Sequence, residues 1–247
     1  MIIKEPQVVI LAGGLGTRLR PSTEVIPKPM TSINGKPFLE YQLNQVRNFG
    51  IKNVVLCVGY LGNVVEDFFK DGKDFGISIK YSYEKELLGT AGALKNAENL
   101  IESNPFIVMN GDCYTNVSLQ DMFSTHKSKG SLITMAISAA TNPKEQELVE
   151  IKNGLVTRFL KRDTPEHKKY LDENLSHFIN AGVYVFGKKI LDLIPSGKKF
   201  SLEQDIFPYF VNSMNSFVYN GYIKDLATIQ FCREFEQDVL GGKINDC

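Results

Sequence analysis

The chain has 247 residues, 43% of them hydrophobic and 23% charged, and its 28 basic and 28 acidic side chains give a formal net charge of zero. That balance suits a water-facing globular protein and argues against a general nucleic-acid binder, which carries a basic excess or stripe. Four scattered cysteines (Cys57, Cys113, Cys232 and Cys247) form no CxxC pair, which disfavours a zinc site or a disulfide framework and favours a reducing cytoplasm. No basic-plus-apolar leader precedes Val8 and no apolar run reaches bilayer-spanning length, so the expectation is a soluble cytoplasmic protein that engages neither membrane nor nucleic acid.

Val8 to Leu11 is a short, wholly apolar run that predicts a central parallel strand. It leads into Ala12-Gly13-Gly14-Leu15-Gly16-Thr17-Arg18-Leu19, and Pro27-Lys28-Pro29 follows. A buried strand ending in a glycine loop leaves backbone N–H groups able to approach an anion with no Cβ in the way. Arg18 and Lys28 would add positive charge to the same anion, so the N-terminal end reads as a polyphosphate cradle. Apolar residues at helical spacing predict a helix over Phe38–Phe49 capped by Gly50. Val54–Val58 is a second strand, Asn63–Phe69 a short helix, and Ile77–Tyr83 a half-exposed strand. Gly92–Ile101 reads as a helix and Phe106–Met109 as another buried strand.

Alternating strands and helices predict a doubly wound sheet with right-handed crossovers. Ligands of such sheets sit at the carboxyl ends of the strands. The glycine loop follows one strand and Asn110-Gly111-Asp112 another, so the two should meet on one edge. The second half changes character. Ser131–Ser138 and Leu148–Ile151 read as strands, with Lys152-Asn153-Gly154 as a hairpin turn and Leu155–Leu160 as its partner. Lys161–Asn174 is charged enough for an exposed loop or surface helix. Phe178–Phe186 reads as a strand interrupted by Asn180-Ala181-Gly182, and Leu202–Val211 and Ile229–Val239 as helices.

The GGxGTRL loop with its later PKP is neither a Walker A loop nor the GxGxxG fingerprint. It resembles the signature of the sugar-phosphate nucleotidyltransferases. The resemblance covers nearly the whole chain, through Gly35-Lys36-Pro37, Gly89-Thr90-Ala91-Gly92-Ala93-Leu94, Asn110-Gly111-Asp112, Asn180-Ala181-Gly182-Val183-Tyr184-Val185-Phe186 and Ser201-Leu202-Glu203-Gln204-Asp205-Ile206-Phe207-Pro208. The segments GKPFLEYQL, LGTAGAL and SLEQDIFP look most like the short bacterial branch that includes the D-glycero-α-D-manno-heptose 1-phosphate and mannose 1-phosphate guanylyltransferases.

The resemblance implies a Rossmann-like, GT-A-like α/β fold with a mixed, mostly parallel sheet and a β-rich sugar-binding lobe. It implies one domain over 1–247, with a nucleotide-binding half (1–125) and a sugar-phosphate-binding half (126–247). In that family a sugar 1-phosphate attacks the α-phosphate of an NTP and expels pyrophosphate, which asks the protein for in-line positioning and charge neutralisation. By resemblance Leu11, Ala12, Gly13, Gly14, Gly16 and Thr17 hold the nucleotide, with Gly89 and Thr90 in the same pocket. Arg18 grips the leaving phosphates, Lys28 sits on the α-phosphate, and Asp112 with Asp225 holds Mg²⁺, a cation suited to carboxylates plus phosphate oxygens. Gly111, Arg162, Asn180 and Glu203 fall to the sugar phosphate.

Glu84 stands where the uridylyl- and thymidylyltransferases look to have a glutamine. An ionised glutamate only accepts hydrogen bonds, so it suits the N1–H and N2–H₂ donors of guanine and should repel uracil; GTP is the favoured substrate, unless Glu84 is simply a solvated surface charge. Three departures fall on the sugar side. The lysine of a Glu-Lys-Pro triplet is replaced within Lys161-Arg162-Asp163, a Tyr-Gly-Val-Val segment appears as Gln146-Glu147-Leu148-Val149, and an Asp-Ile-Gly-Thr-Pro segment appears as Asp225-Leu226-Ala227-Thr228-Ile229. Glu147, Lys161 and Ala227 are therefore expected to face the sugar.

His126, His167 and His177 have no metal or dyad spacing and read as surface or packing residues, and Cys113 as inert packing. Without a C-terminal β-helix, the product is expected to serve a surface polysaccharide with no added acyl transfer. The rival readings are a uridylyl-, thymidylyl- or cytidylyltransferase on another phosphorylated substrate, and a non-catalytic subunit that binds a nucleotide-sugar and regulates a partner. Homo-oligomer formation is compatible with all three.

Overall fold

The computed structural model of the chain describes residues 6–16, 25–173, 176–226 and 228–244. Thr17, Arg18 and Ala227, singled out above, lie outside the described residues, as does Cys247.

β1 (Gln7–Leu11) is central because Val8, Val9 and Ile10 offer no polar face, and all three are fully buried. A small ribbon of β2 (Ser32–Ile33) and β3 (Lys36–Pro37) leads into α1 (Phe38–Asn48), which starts directly after the extended Pro37. There follow β4 (Asn53–Val58), α2 (Gly62–Phe69), β5 (Ser78–Tyr83), α3 (Gly89–Asn96) and β6 (Phe106–Asn110). β4 and β6 flank β1, and β5 lies outside β4, all in parallel register. Val8 and Ile10 pack with α1 and α2 on one face, while Val9 packs with α3 on the other. Period-two alternation thus feeds two cores from one strand, which is the doubly wound arrangement.

The second half extends the same sheet. β7 (Cys113–Thr115) and α4 (Leu119–Lys129) precede β8 (Ile133–Ala139), the hairpin β9 (Leu148–Lys152) and β10 (Leu155–Leu160), and α5 (Pro165–Asp172). β11 (Phe178–Phe186), β12 (Asn215–Val218), β13 (Ile223–Asp225) and α6 (Ile229–Leu240) complete the chain. The nine-stranded order is β5-β4-β1-β6-β11-β8-β12-β10-β9. Parallel pairing is confined to the four N-terminal strands and the β8–β12 pair, and β11 pairs antiparallel with both neighbours. The sheet is mixed as expected, with a smaller parallel share than "mostly parallel" implies, because a hairpin and not a βαβ crossover builds the second half.

Asn153 and Gly154 both have positive φ (52° and 76°), the two-residue turn that matches strand twist in a tight hairpin. Thr164 accepts from the His167 N–H with Pro165 at the first helical position, so the charged stretch becomes α5. The Asn180-Ala181-Gly182 interruption is real: the β11–β8 register shifts between Asn180 and Tyr184. The expected helix over Leu202–Val211 is instead a π turn (Leu202–Ile206) followed by a 3₁₀ turn (Phe207–Phe210), since Pro208 lacks the N–H a continuous helix needs. The helix expected over Gly92–Ile101 runs from Gly89 to Asn96, with a separate 3₁₀ turn at Glu98–Leu100. Helix α4, capped by Ser118 accepting from the Asp121 N–H, has no counterpart in the sequence reading, and neither do β7, β12 and β13.

Candidate active site

After β1 the chain crosses to β4 on one side of the sheet; after β5 it returns across to β6 on the other. The loops leaving β1 and β6 therefore diverge, and a cleft of about 430 Å³ opens between them. Crevices at such switch points are where open α/β sheets bind ligands. Leu11, Ala12, Gly13, Gly14, Gly16, Lys28, Glu84, Gly89, Thr90, Gly111 and Asp112 all line it. The sheet thus brings together every described nucleotide-side residue named from the sequence.

Two backbone features hold the β6 turn against β1. The Gly111 N–H donates to the Leu11 carbonyl at 2.9 Å. A Cβ at Gly111 would stand 2.6 Å from the Leu11 oxygen and 3.1 Å from Ala12 Cα, so only glycine permits this approach. Gln42 of α1 is fully buried, and its Nε2 donates to the carbonyls of Asn110 and Cys113, each at 2.8 Å. It clasps the turn from both sides and fixes where Asp112 projects. The apolar spacing of α1 does not single out Gln42; a glutamine among the buried positions of that helix is the available signal.

Lys28, in a 3₁₀ turn between Pro27 and Thr31, is 8% exposed. Its Nζ lies 2.7 Å from Asp112 Oδ2 and 3.9 Å from Asp225 Oδ1. Asp225 arrives through a ribbon in which β13 pairs antiparallel with β7, Asp225 opposite Cys113, and the Leu226 N–H donates to the Asp112 carbonyl at 2.8 Å. Helix α6 pins that ribbon: Phe235 packs on Phe38, Tyr41 and Tyr114 in a core of its own. Two carboxylates half open to solvent thus converge on one point beside a phosphate-sized loop. Hard oxygen donors with room left for water and phosphate fit a Mg²⁺ ion.

Glu84 ends β5. Its Oε2 accepts from the Leu88 N–H at 2.8 Å, and its Oε1 stands where a Cβ on Gly13 would be. Burial raises the Glu84 pKa above the ordinary carboxylate value, and the Leu88 hydrogen bond only partly opposes it. Glu84 is therefore not a solvated surface charge: it is a partly desolvated acceptor set against the glycine loop.

On the opposite wall Thr90 donates to Glu203 Oε2 at 3.0 Å and accepts from the Leu202 N–H at 2.8 Å, while Ser201 Oγ donates to the same Glu203 oxygen at 2.9 Å. Asn180 donates to the buried Tyr184 hydroxyl at 2.7 Å, a hydroxyl that Asn110 also approaches. Glu203 thus touches cleft-lining Thr90 directly, and Asn180 reaches cleft-lining Asn110 through the Tyr184 hydroxyl.

Arg162 is not brought there. It is exposed, its Nε 3.2 Å from Asp163 Oδ2 and its Nη1 3.4 Å from the Glu145 carbonyl. Glu147 and Lys161 are also exposed and outside the cleft lining. The 143–147 loop is tied to α5 by buried His167, whose Nε2 contacts the Pro143 and Gln146 carbonyls at 3.1 and 3.0 Å.

His126 is buried, with Nδ1 2.9 Å from Thr134 Oγ1, and His177 lies against Tyr170; the histidines are packing residues. Cys113 is buried with its thiol pKa pushed up by desolvation. Among the described residues no helix is long and apolar enough to cross a membrane.

Fold and cleft together define an α/β protein of the doubly wound class with a phosphate-type loop at its switch point. Residues 7–238 match the profile of the nucleotidyl transferase family, and the chain belongs to it. The chain is 36% identical over 222 residues to a UTP–glucose-1-phosphate uridylyltransferase of Synechocystis sp., covering 84% of this chain and 55% of the relative. It is 32% identical over 249 residues to a mannose-1-phosphate guanylyltransferase of Mycobacterium tuberculosis, covering 98% of this chain and 67% of that protein. The chain thus spans between about half and two thirds of the length of these curated relatives. The structure of HddC from Yersinia pseudotuberculosis complexed with GMP-PN matches with a TM-score of 0.80 at 29% identity, covering 95% of this chain and 99% of that one.

Proposed function

We propose that the chain transfers a nucleotidyl group from an NTP, GTP by preference, to a sugar 1-phosphate of the heptose or mannose type, releasing pyrophosphate. The observation that carries this reading is the meeting of the glycine loop, Lys28, Asp112 and Glu84 in one cleft at the switch point. Residues 1–125 would supply the nucleotide side and 126–247 the acceptor side. The setting would be the cytoplasm, and the product would feed surface polysaccharide synthesis.

In the reaction an oxygen of the sugar phosphate bonds to the α-phosphorus while the bond to the β-phosphate oxygen breaks. The loop amides from Gly13 to Gly16 and, outside the described residues, Thr17 and Arg18 hold the departing pyrophosphate. Lys28 neutralises charge on the α-phosphate, in a site whose partial burial strengthens the interaction. Asp112 and Asp225 would hold Mg²⁺, which supplies Lewis-acid screening of the phosphate oxygens when bound. Glu84 accepts from the guanine N1–H and N2–H₂, Gly89 and Thr90 shape the wall beside the base, and Asn180 and Glu203 are placed to meet sugar hydroxyls.

A second reading, uridylyl transfer, is favoured by the Synechocystis relative and its name. Non-catalytic binding of a nucleotide-sugar is favoured by the diversion of Arg162 from the cleft. Incubation of the protein and Mg²⁺ with each NTP and a panel of sugar 1-phosphates, with nucleotide-sugars resolved by chromatography, separates them. GDP-sugar formed ahead of all others supports the proposal. UDP-sugar as the main product supports the second reading, and no product with any pair alongside tight GDP-sugar binding supports the third.

A further inference from the structure

We propose that Lys28 holds Asp112 and Asp225 against Mg²⁺ until a nucleotide arrives, so that metal and NTP enter the cleft as a coupled pair; this rests on the nucleotidyl-transfer reading of the cleft. The carboxylates suited to the metal already carry a cation. Lys28 Nζ stands 2.7 Å from Asp112 Oδ2 and 3.9 Å from Asp225 Oδ1. The lysine side chain is 10% exposed, against 40% for Asp112 and 53% for Asp225. The ammonium is therefore the buried member of this triad, and the carboxylates are the members open to solvent.

The backbone of Lys28 is fixed, and its stem is the part free to travel. The Thr31 N–H and hydroxyl both donate to the Lys28 carbonyl, at 3.1 and 2.8 Å, and the Met30 N–H donates to the Pro27 carbonyl at 2.8 Å. Pro27 and Pro29 restrict the chain on either side. A lysine ammonium is a point charge on a flexible stem with no fixed bonding geometry. It can leave the carboxylates for another anion while the turn stays in place.

Charge sets the order of binding. The two carboxylates contribute two negative charges and Lys28 cancels one, so a divalent cation meets a triad with a single net negative charge. Mg²⁺ also dehydrates reluctantly and relies on substrate phosphates to complete sites of one or two carboxylates. A nucleotide changes both conditions: its phosphates supply oxygens for the metal, and its α-phosphate takes the ammonium. Linkage makes the coupling reciprocal, so the metal tightens the nucleotide by the same factor.

The test is binding of Mn²⁺ alone, a cation with the same preference for carboxylate and water oxygens, to the nucleotide-free full chain, followed by the EPR signal of the free ion. Lys28→Met should bind Mn²⁺ about tenfold more tightly than the wild type, since one repelling charge is gone. Lys28→Arg, which keeps the charge, should bind as the wild type does. Combining Lys28→Met with Asp112→Asn should abolish the gain. GMP, which carries the α-phosphate alone, should tighten Mn²⁺ binding to the wild type by about fivefold. Thermal melting checks that each variant is folded, and Lys28→Gln takes the place of Lys28→Met if that variant is not. The proposal is overturned if removing the charge leaves Mn²⁺ affinity unchanged or lowers it, or if Lys28→Arg shows the same gain. It is equally overturned if the gain survives Asp112→Asn, or if GMP has no effect on the wild type. None of these readouts involves turnover; failure of the functional reading shows separately, as no nucleotide-sugar formed with any NTP.

Discussion

On the proposed function, base choice falls to one carboxylate, Glu84. It is desolvated against the glycine loop, so its acceptor character is costly and specific. Replacing it with glutamine removes a buried charge and adds a donor of nearly the same shape. Glu84→Gln should shift the ratio of GTP to UTP turnover toward UTP by at least about tenfold, since a site built for particular hydrogen bonds discriminates strongly, and kcat/KM with each NTP measures it. The sign of the stability effect also follows. A carboxyl whose folded pKa is raised weakens the fold once ionised, and protonation relieves that penalty. Glu84→Gln should therefore raise Tm at neutral pH, with the gain shrinking as pH falls through the Glu84 titration. Thermal scans across that range check it.

Two further residues fix the turn that carries Asp112. Gln42→Leu keeps the volume but leaves the carbonyls of Asn110 and Cys113 without their donor. Each unsatisfied buried group costs about 1–3 kcal/mol, and Asp112 loses its fixed direction. Chemical denaturation should register the loss, and kcat should fall more than KM rises. Gly111→Ala places a methyl 2.6 Å from the Leu11 oxygen, forcing β1 and β6 apart at the cleft. Overpacking of this kind costs about 1–3 kcal/mol, readable in the same denaturation experiment.

At the scale of elements, the parallel strands were legible because each is a short apolar run bounded by turn residues, as in Val54–Val58 and Phe106–Met109. The hairpin turn was legible because Asn153-Gly154 is a sequence in which both positive φ values are cheap. The ribbon of β7 and β13 was not, because three-residue strands carry no period, and β12 is hardly longer. Their pairing is set by contacts far apart in sequence, above all the packing of α6. The motif alone put Asp112 and Asp225 together; how they meet required the ribbon. The broken helix after Ser201 shows the opposite limit: the apolar pattern over Leu202–Val211 predicts one helix, and Pro208 divides it. The tie between the 143–147 loop and α5 depends on buried His167, whose spacing carries no sign of that role.

Over the whole molecule, one sheet of nine strands feeds two large cores, and a smaller core joins α6 to α1, β2 and β7. A buried histidine ties the stability of this assembly to pH. Burial depresses the His126 pKa from 6.5 to about 4, so the unfolded chain binds a proton more readily across that interval. Stability is intact above about pH 6.5 and should decline as pH falls toward 4. A shift of this size is worth roughly 3–4 kcal/mol at most. His126→Gln should flatten the acid limb of the stability curve over that window, measured by denaturant titration at successive pH values.

The proposed function places nucleotidyl transfer in the cleft, with Asp112 at its centre. The most direct measurement is pyrophosphate release from GTP in the presence of Mg²⁺ and a sugar 1-phosphate, compared between the wild type and Asp112→Asn. Stoichiometric release by the wild type, reduced at least about a hundredfold in a folded Asp112→Asn protein, is the result expected of a charge-stabilising site. Release that Asp112→Asn leaves intact, or none from the wild type with any acceptor, would contradict it.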